Sequence, residues 1–214
     1  MTRVIAIDGP AGSGKSTVAR RLADRLGVGY LDTGAMYRAA TWAVLDSGID
    51  PSDESAVAAL VATTSIDVDR GIVTVGDDDA TIAIRGPEVS GLVSIVASNS
   101  AVRADLVERQ RAWVISRGGA VVEGRDIGSV VFPDAEAKLY LTASPEARAR
   151  RRAAERGDAD DAEIERTATE LARRDHIDST RADSPLVAAD GSTTIDTSDM
   201  TIDEVVAYIE GLLS

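Results

Sequence analysis

Apolar residues along the chain follow two rhythms. Val4–Ile7 is an unbroken apolar run between Arg3 and Asp8, the pattern of a strand buried on both faces. The stretches "AVVEG" at 120–124 and "AKLYLTA" at 137–143 repeat that pattern, and "TTIDTS" at 193–198 adds a short last strand. Between them the apolar spacing turns helical. Residues 14–26 predict a helix that stops at Gly27. "GYLDTGAMYR" predicts a short strand, a turn at Thr33-Gly34 and a helix running to about Ser47. Further helices are expected over 53–63, 100–117 and 162–180. Ser144 followed by Pro145 is an N-cap followed by a residue suited to the first helical position. Thr201 and Glu204 form the sequence of a capping box for the last helix.

One region breaks this order. From 65 to 90 apolar and polar residues alternate, with turn signals at Arg70-Gly71 and at Asp77–Asp79. That predicts an antiparallel meander inserted between helical segments. "GDADD" at 157–161 is a charged turn. Strands alternating with helices predict a parallel α/β sheet, and no repeat or long linker divides residues 1–214.

Composition narrows the picture. Aromatic residues make up only 3% of a chain that is 44% hydrophobic, so the core must be built from Val, Ala, Leu and Ile. Trp42 and Trp113 fall on apolar helix faces and are expected to pack there. There is no cysteine, which excludes disulfides and thiolate metal sites, and the single His176 cannot form a histidine cluster. His176 is expected at the surface of a basic helix. A net charge of −13 argues against a grip on DNA or RNA. No apolar run reaches membrane length, and "MTRVIAIDGP" is too short for a signal peptide, so a cytoplasmic protein is the expectation. With no apolar surface helix left over, a monomer is expected.

The candidate chemistry begins where the first strand ends. In "DGPAGSGKST", Gly9, Gly14, Lys15 and Ser16 fit G-x-x-x-x-G-K-[ST] between a strand and a helix, the P-loop arrangement. Glycines let the backbone aim several N–H groups at one anion, and the helix dipole adds positive potential there. Lys15 is thus expected on the β- and γ-phosphates of a nucleotide and the Ser16 hydroxyl on Mg²⁺. Thr17 stands where a dinucleotide fingerprint needs its third glycine. Neither lysine follows an asparagine, which excludes the base-reading N-K-x-D of GTPases. A P-loop does not name its acceptor: a small-molecule kinase, including one acting on a metabolite such as shikimate, and a nucleotide-gated binding module both fit.

Arginines supply the remaining positive charge. Arg125 and Asp126 follow a buried strand at its carboxyl end, the usual ligand edge of such sheets, and form an expected ion pair. Arg174, Asp178 and Arg181 are spaced to share a helix face, Arg38 lies on the helix after "DTGAMY", and Arg148, Arg151, Arg152 and Arg156 crowd another. Guanidinium forks match phosphate oxygens two at a time.

Taken together, "IDGPAGSGKST", "LDTGAMYR", "VSGLVSIVA", "EGRDIGSVVFPDA", "LTASPEARARRR" and "RRDHIDSTRADSPL" resemble the bacterial cytidylate kinase family, in the family's order. The resemblance implies a P-loop core in which Gly9, Pro10, Ala11, Gly12, Ser13, Gly14, Lys15, Ser16 and Thr17 hold ATP phosphates, with a nucleoside-monophosphate-binding insertion over 65–90 and a lid over 153–165. It implies transfer of the γ-phosphoryl of ATP to CMP or dCMP with Mg²⁺. By the same resemblance Thr33, Tyr37 and Arg38 stand around the acceptor phosphate. Ser94, Arg103 and Asp126 match positions that read cytosine. Arg125 matches a phosphate-binding arginine, and Arg174, Asp178 and Arg181 engage the acceptor's sugar and phosphate. Lys15, Arg125, Arg148 and Arg152 would serve the transferring phosphate. Glu123 takes a place often held by aspartate before "GRD".

Overall fold

The structure, a computed structural model, describes residues 2–69, 71–155, 157, 160–181 and 183–213. Its centre is a five-stranded sheet whose pairings are all parallel. The strands are β1 (Arg3–Asp8), β2 (Gly29–Asp32), β6 (Gly119–Gly124), β7 (Ala137–Thr142) and β8 (Thr193–Asp196), in the order β2-β6-β1-β7-β8. Because side chains alternate along a strand, the sheet builds two cores. Val4 and Ala6 of β1 join Ala120 and Val122 on one face, under α2 (Thr33–Asp46) and α5 (Ser100–Ser116). Ile5 and Ile7 join Val121 on the other face, against α1 (Lys15–Leu26) and α8 (Ile202–Leu212). Small residues such as Ala39, Ala40 and Ala43 let α2 approach closely, as the low aromatic content requires.

The insertion is smaller than the alternation suggests. It consists of β3 (Ile66–Asp69), β4 (Ile72–Val75) and β5 (Asp78–Asp79), paired antiparallel. The chain then forms a 3₁₀ turn at Ala83–Arg85 and enters α4 (Pro87–Ser98). The meander expected over 65–90 therefore ends at Asp79. Pro87, at the start of α4, fixes a helical φ, and the apparent alternation beyond 80 arises from Ile82 facing solvent while Ile84 is buried. The turn expected at Asp77–Asp79 sits at Gly76–Asp77, where Gly76 takes φ 60°, and Asp78–Asp79 are strand. Arg70 lies outside the described residues; Gly71 beside it is left-handed, with φ 85°. The hairpin docks onto α5, where Trp113 Nε1 donates to the Val68 carbonyl at 3.0 Å and Arg117 stacks 3.8 Å over the Trp113 ring. Trp42 packs against the core cluster under α2.

No turn separates β2 from α2. Asp32 caps the helix by accepting from the Ala35 amide at 2.9 Å, and Thr33 is already helical. The remaining boundaries fall near their expected places. Ser144 caps α6 (Pro145–Glu155), Asp160 caps α7 (Asp161–Thr180), and the Thr201–Glu204 capping box is formed. Within "GDADD", Asp158 and Ala159 lie outside the described residues, as does Arg156 before it.

Asn99 ties the helical layer together. Its Oδ1 accepts from the Ala101 and Val102 amides at 3.0 and 3.3 Å, capping α5, while Nδ2 donates to the Glu54 carbonyl at 2.8 Å in α3 (Glu54–Thr63). Asn99→Ala removes a cap and strands a tertiary acceptor at a buried position. It should lower stability by about 2 kcal/mol in urea unfolding, with the native circular dichroism spectrum retained.

Candidate active site

Both β1 and β6 end at one edge of the sheet, with Asp8 level with Gly124 and Asp32 level with Glu123. The loop after β1 bends through positive φ at Gly9, Gly12 and Gly14 before α1 begins at Lys15. A side chain on Gly9 is impossible, since its Cβ would lie 2.0 Å from the Leu141 carbonyl oxygen. Lys15 folds back over this loop and donates to the Pro10 carbonyl at 2.7 Å, and Ser13 Oγ donates to the same oxygen at 3.0 Å. Burial, then the Arg125 charge, lowers the Lys15 pKa, while Glu123 and Asp8 oppose the shift.

Glu123 holds the other side of the loop. Its carboxylate accepts from Ser16 Oγ at 3.0 Å and from the Tyr30 hydroxyl at 2.6 Å. Burial, then the Asp32 carboxylate, raises its pKa. Its carbonyl accepts from the Thr33 hydroxyl at 2.6 Å, so Thr33 links α2 to β6.

A cleft of about 890 Å³ opens over the loop. Ala11, Gly12, Gly14, Lys15, Ser16 and Thr17 line its floor, while Gly9, Pro10 and Ser13 lie beneath it and shape the turn. Arg38, Arg125, Arg152 and Arg174 also face the cleft. Arg38 bridges to the Ile84 carbonyl at 3.2 Å and the Ser90 hydroxyl at 2.9 Å, and burial followed by the Arg152 charge lowers its pKa to about 10.

A second pocket of about 60 Å³ adjoins the cleft. Thr33, Tyr37, Ser94, Arg103, Arg125, Asp126, Arg174, Asp178 and Arg181 all line it. Every residue singled out for the acceptor is therefore here except Arg38, which faces the larger cleft. Two carboxylates organise the arginines. Asp126 pairs with Arg103, whose guanidinium lies 5.5 Å from the Tyr37 ring centroid, and lies 3.7 Å from Arg181. Asp178 accepts from Arg125 Nε at 3.0 Å, with Arg174 at 3.9 Å and the Ser94 hydroxyl at 3.5 Å. Burial opposes the Asp178 charge, yet Arg125 and Arg174 outweigh it and hold the carboxyl below its ordinary range. For Arg174, burial and then the neighbouring Arg125 and Arg38 charges lower the pKa to about 9. Among the described residues, Arg174 Nε and Arg181 Nη2 are buried donors with no hydrogen-bond acceptor. Such crowded cations suit a polyanionic ligand.

The geometry corrects three expectations. Arg125 and Asp126 do not pair. The chain leaves the sheet at that point and the two side chains diverge, Arg125 toward the Gly9 carbonyl at 3.0 Å and Asp178, Asp126 toward α5 and Arg103. Arg181 caps the end of α7, and its nearest carboxylate is Asp126, not the Asp178 of its own helix face. Arg148 does not line the cleft. It lies under the loop, donating to the Ala11 carbonyl at 3.2 Å and to Asp175 at 2.5 Å. Arg151 is committed to the Thr197 hydroxyl and carbonyl, at 3.0 and 2.5 Å. His176 is exposed, as expected.

Asp8, Tyr30, Asp32, Arg85 and Asp175 were not legible as parts of this region. Asp8 carried the same signal as Glu123, a carboxylate at the end of a buried strand.

A P-loop at the carboxyl edge of a parallel sheet, beside a second pocket rich in arginine, defines a P-loop kinase. The shikimate kinase of Acinetobacter baumannii, solved in complex with shikimate, has the same fold. It superposes with a TM-score of 0.50 at 16% identity, covering 100% of this chain and 93% of that one. The family model described as cytidylate kinase matches residues 5–213, and the chain belongs to that family. It is 51% identical to the cytidylate kinase of Mycobacterium leprae (strain Br4923) over 213 residues, 98% of this chain and 95% of that protein. With the cytidylate kinase of Geobacillus kaustophilus (strain HTA426) identity is 49% over 212 residues, 96% of this chain and 93% of that one. A bifunctional pantoate ligase/cytidylate kinase of Synechococcus sp. (strain WH7803) is 50% identical over 99% of this chain, which matches 45% of its length.

Lys15→Met should leave the fold intact and lower kcat by ~10²-fold or more, since one electrostatic contact on a transferring group is worth roughly 2.7–4 kcal/mol. Steady-state kinetics on a variant with native circular dichroism checks this.

Proposed function

We propose that the chain transfers the γ-phosphoryl group of ATP to CMP or dCMP, giving ADP and CDP or dCDP. The observation that carries this reading is the convergence of Ser94, Arg103, Asp126, Arg174, Asp178 and Arg181 on one small pocket beside the P-loop. In it, ATP phosphates lie along the loop with Lys15 on the β- and γ-phosphates, and the acceptor phosphate sits among Arg38, Arg125 and Arg174. The nucleophile is a phosphate oxygen already ionised at pH 7, so the site needs alignment and positive charge more than a general base. Arg125 spans both halves of the reaction, touching the Gly9 carbonyl of the loop and Asp178 of the pocket. Arg152 approaches from α6 at the cleft wall, paired with Glu155 at 2.7 Å. Arg148 supports the loop from beneath.

Mg²⁺ belongs to this proposal. It takes oxygen ligands and shares them with substrate phosphates, and the Ser16 hydroxyl backed by the Glu123 carboxylate is an oxygen donor set of that kind. Once bound, the ion neutralises charge on the phosphates.

Cytosine presents an amine donor beside the N3 and O2 acceptors, whereas uracil presents an O4 acceptor and an N3–H donor. Asp126 can accept from the cytosine amine and Arg103 can donate to N3. Uracil would set acceptor against acceptor. We further propose that residues 65–90 and the 153–165 segment close over the two nucleotides, excluding water from the transferring group. The enzyme would act in the cytoplasm as a monomer on free nucleotides. The chain's net charge of −13 supports substrates other than DNA or RNA, and no described helix is long and apolar enough to cross a membrane.

A coupled ADP-release assay across CMP, dCMP, UMP and shikimate tests the reading. CMP and dCMP should be preferred acceptors, and turnover of shikimate but not CMP overturns it. In the same assay Asp126→Asn, which puts an amide donor where the carboxylate accepts, should lower the CMP over UMP ratio of kcat/KM by at least ~10-fold. An unchanged ratio removes Asp126 from base reading. Hydrogen exchange across 65–90 and 153–165 should slow when CMP and a non-hydrolysable ATP analogue are both present, and unchanged exchange in both segments removes closure from the mechanism.

A further inference from the structure

We infer that Asp8 is a positioning residue for base recognition, acting from the end of β1 on the loop that carries Arg125 and Asp126. Asp8 is 3% exposed and lines neither the cleft nor the small pocket. Its two carboxylate oxygens each accept one backbone amide, Oδ1 from Ile127 and Oδ2 from Gly128, both at 2.8 Å. Those amides open the single π-helical turn Ile127–Val131 that follows the pocket.

The position of Asp126 makes this arrangement informative. Asp126 precedes the turn as an N-cap does, and an aspartate there ordinarily accepts the amides two or three residues ahead. In this structure Asp126 makes no such capping bond. Asp8 takes the Gly128 amide instead, together with that of Ile127, from a neighbouring strand, and the Asp126 carboxylate is left to face Arg103 and Arg181. The next residue reinforces the arrangement, because the Gly9 carbonyl accepts from Arg125 Nη1 at 3.0 Å. Consecutive residues of β1 and its loop thus hold Arg125 on one side of Asp126 and Ile127 and Gly128 on the other. A sheet strand is a rigid support for a site, more so than a loop capping itself.

The charge of Asp8 has a second neighbour. Burial raises its pKa to about 6 against the pull of the two amides, with Asp126 raising it further and Lys15 lowering it. Loss of the carboxylate could therefore act through Lys15 rather than through the loop, and the experiment must separate these.

The inference rests on the cytidylate reading of the pocket, so wild-type kinetics with CMP and UMP come first. If the wild type does not prefer CMP, that reading fails. If it does, Asp8→Asn and Asp8→Glu test the inference. Asn keeps the size but turns an amide donor toward one backbone N–H. Glu keeps the negative charge beside Lys15 but displaces the carboxylate from both amides. Both variants should raise the KM for CMP and lower the CMP over UMP ratio of kcat/KM by at least ~10-fold, with the KM for ATP within about 2-fold of wild type. A fall in kcat shared equally by both acceptors, confined to Asp8→Asn, would assign Asp8 to Lys15 and overturn the inference. Lower thermal stability with an unchanged ratio would make Asp8 a structural residue only, and would also overturn it. Should Asp8→Asn fail to fold, the ratio measured for Asp8→Glu decides alone.

Discussion

At the end of β1 the backbone passes so close to β7 that a Cβ on Gly9 would lie 2.0 Å from the Leu141 carbonyl oxygen. This approach sets the height at which the loop leaves the sheet. From there the loop returns over itself, so that Lys15 meets the Pro10 carbonyl and Ser16 meets Glu123 of the neighbouring strand. The side toward α6 is close too, since a Cβ on Gly12 would meet the Arg148 backbone oxygen and Cβ at 3.0 Å. The loop is thus held between β7, β6 and α6, and its carbonyls are used by its own protein: Pro10 by Lys15 and Ser13, Ala11 by Arg148, Ser13 by Thr197. With the carbonyls turned inward and occupied, a P-loop can present its amides to an anion without reorganising when the anion arrives.

Charge at this edge of the sheet is balanced locally, not by the chain's overall acidity. Two carboxylates each organise a pair of arginines, Asp126 between Arg103 and Arg181, Asp178 between Arg125 and Arg174. Removing one partner of a buried pair costs roughly 3–5 kcal/mol, because the remaining charge stays buried. The pairs therefore keep the guanidiniums oriented where burial and mutual repulsion would otherwise drive them outward. The lowered pKa of Arg174, about 9, records how crowded the cations remain. A phosphate bound among them, as proposed for the acceptor, would relieve that crowding, so the energy of assembling the cations would favour ligand binding.

Much of this was legible in the sequence where the signal is contiguous. The P-loop spacing, the flanking strand and helix, and the capping residues Ser144 and Thr201 are local, and local chemistry fixes them. Residues that line the small pocket are marked singly in the sequence, Arg125 because a charge follows a buried strand, Arg174 and Asp178 by helical spacing. Their pairing was not legible. Asp126 chooses Arg103 over its neighbour Arg125 because the chain leaves the sheet there and the side chains diverge, which spacing cannot show. The placement of Arg148 is not legible for a related reason: a helix rich in arginine has several faces, and only the packing of α6 on Gly12 tells which one meets the loop. The meander ends sooner than the alternation predicts because Ile82, just before the 3₁₀ turn, and Ile84 within it mimic strand alternation across a short bend.

The pre-formed pairs also bear on how a pyrimidine is chosen. On the proposed reading, a base entering the small pocket would meet Asp126 already bound to Arg103, and would exchange contacts more than add them. The gain from a matching base is modest, because each new hydrogen bond replaces one already made. A mismatched base must still part or distort the pair, yet returns no bond to either member, and leaving a buried charged group unsatisfied is costly. On that reading discrimination would arise chiefly from the penalty imposed on the wrong base. Such a mechanism depends on the pair being held firmly. Arg103 is anchored by its donation to the Ala97 carbonyl at 3.3 Å and by the Tyr37 ring beside it. Asp126 has its backbone fixed from the sheet by Asp8 through the two amides that follow it. A recognition pair held from opposite sides cannot relax toward the wrong ligand without disturbing α5 or β1, and both lie in the core.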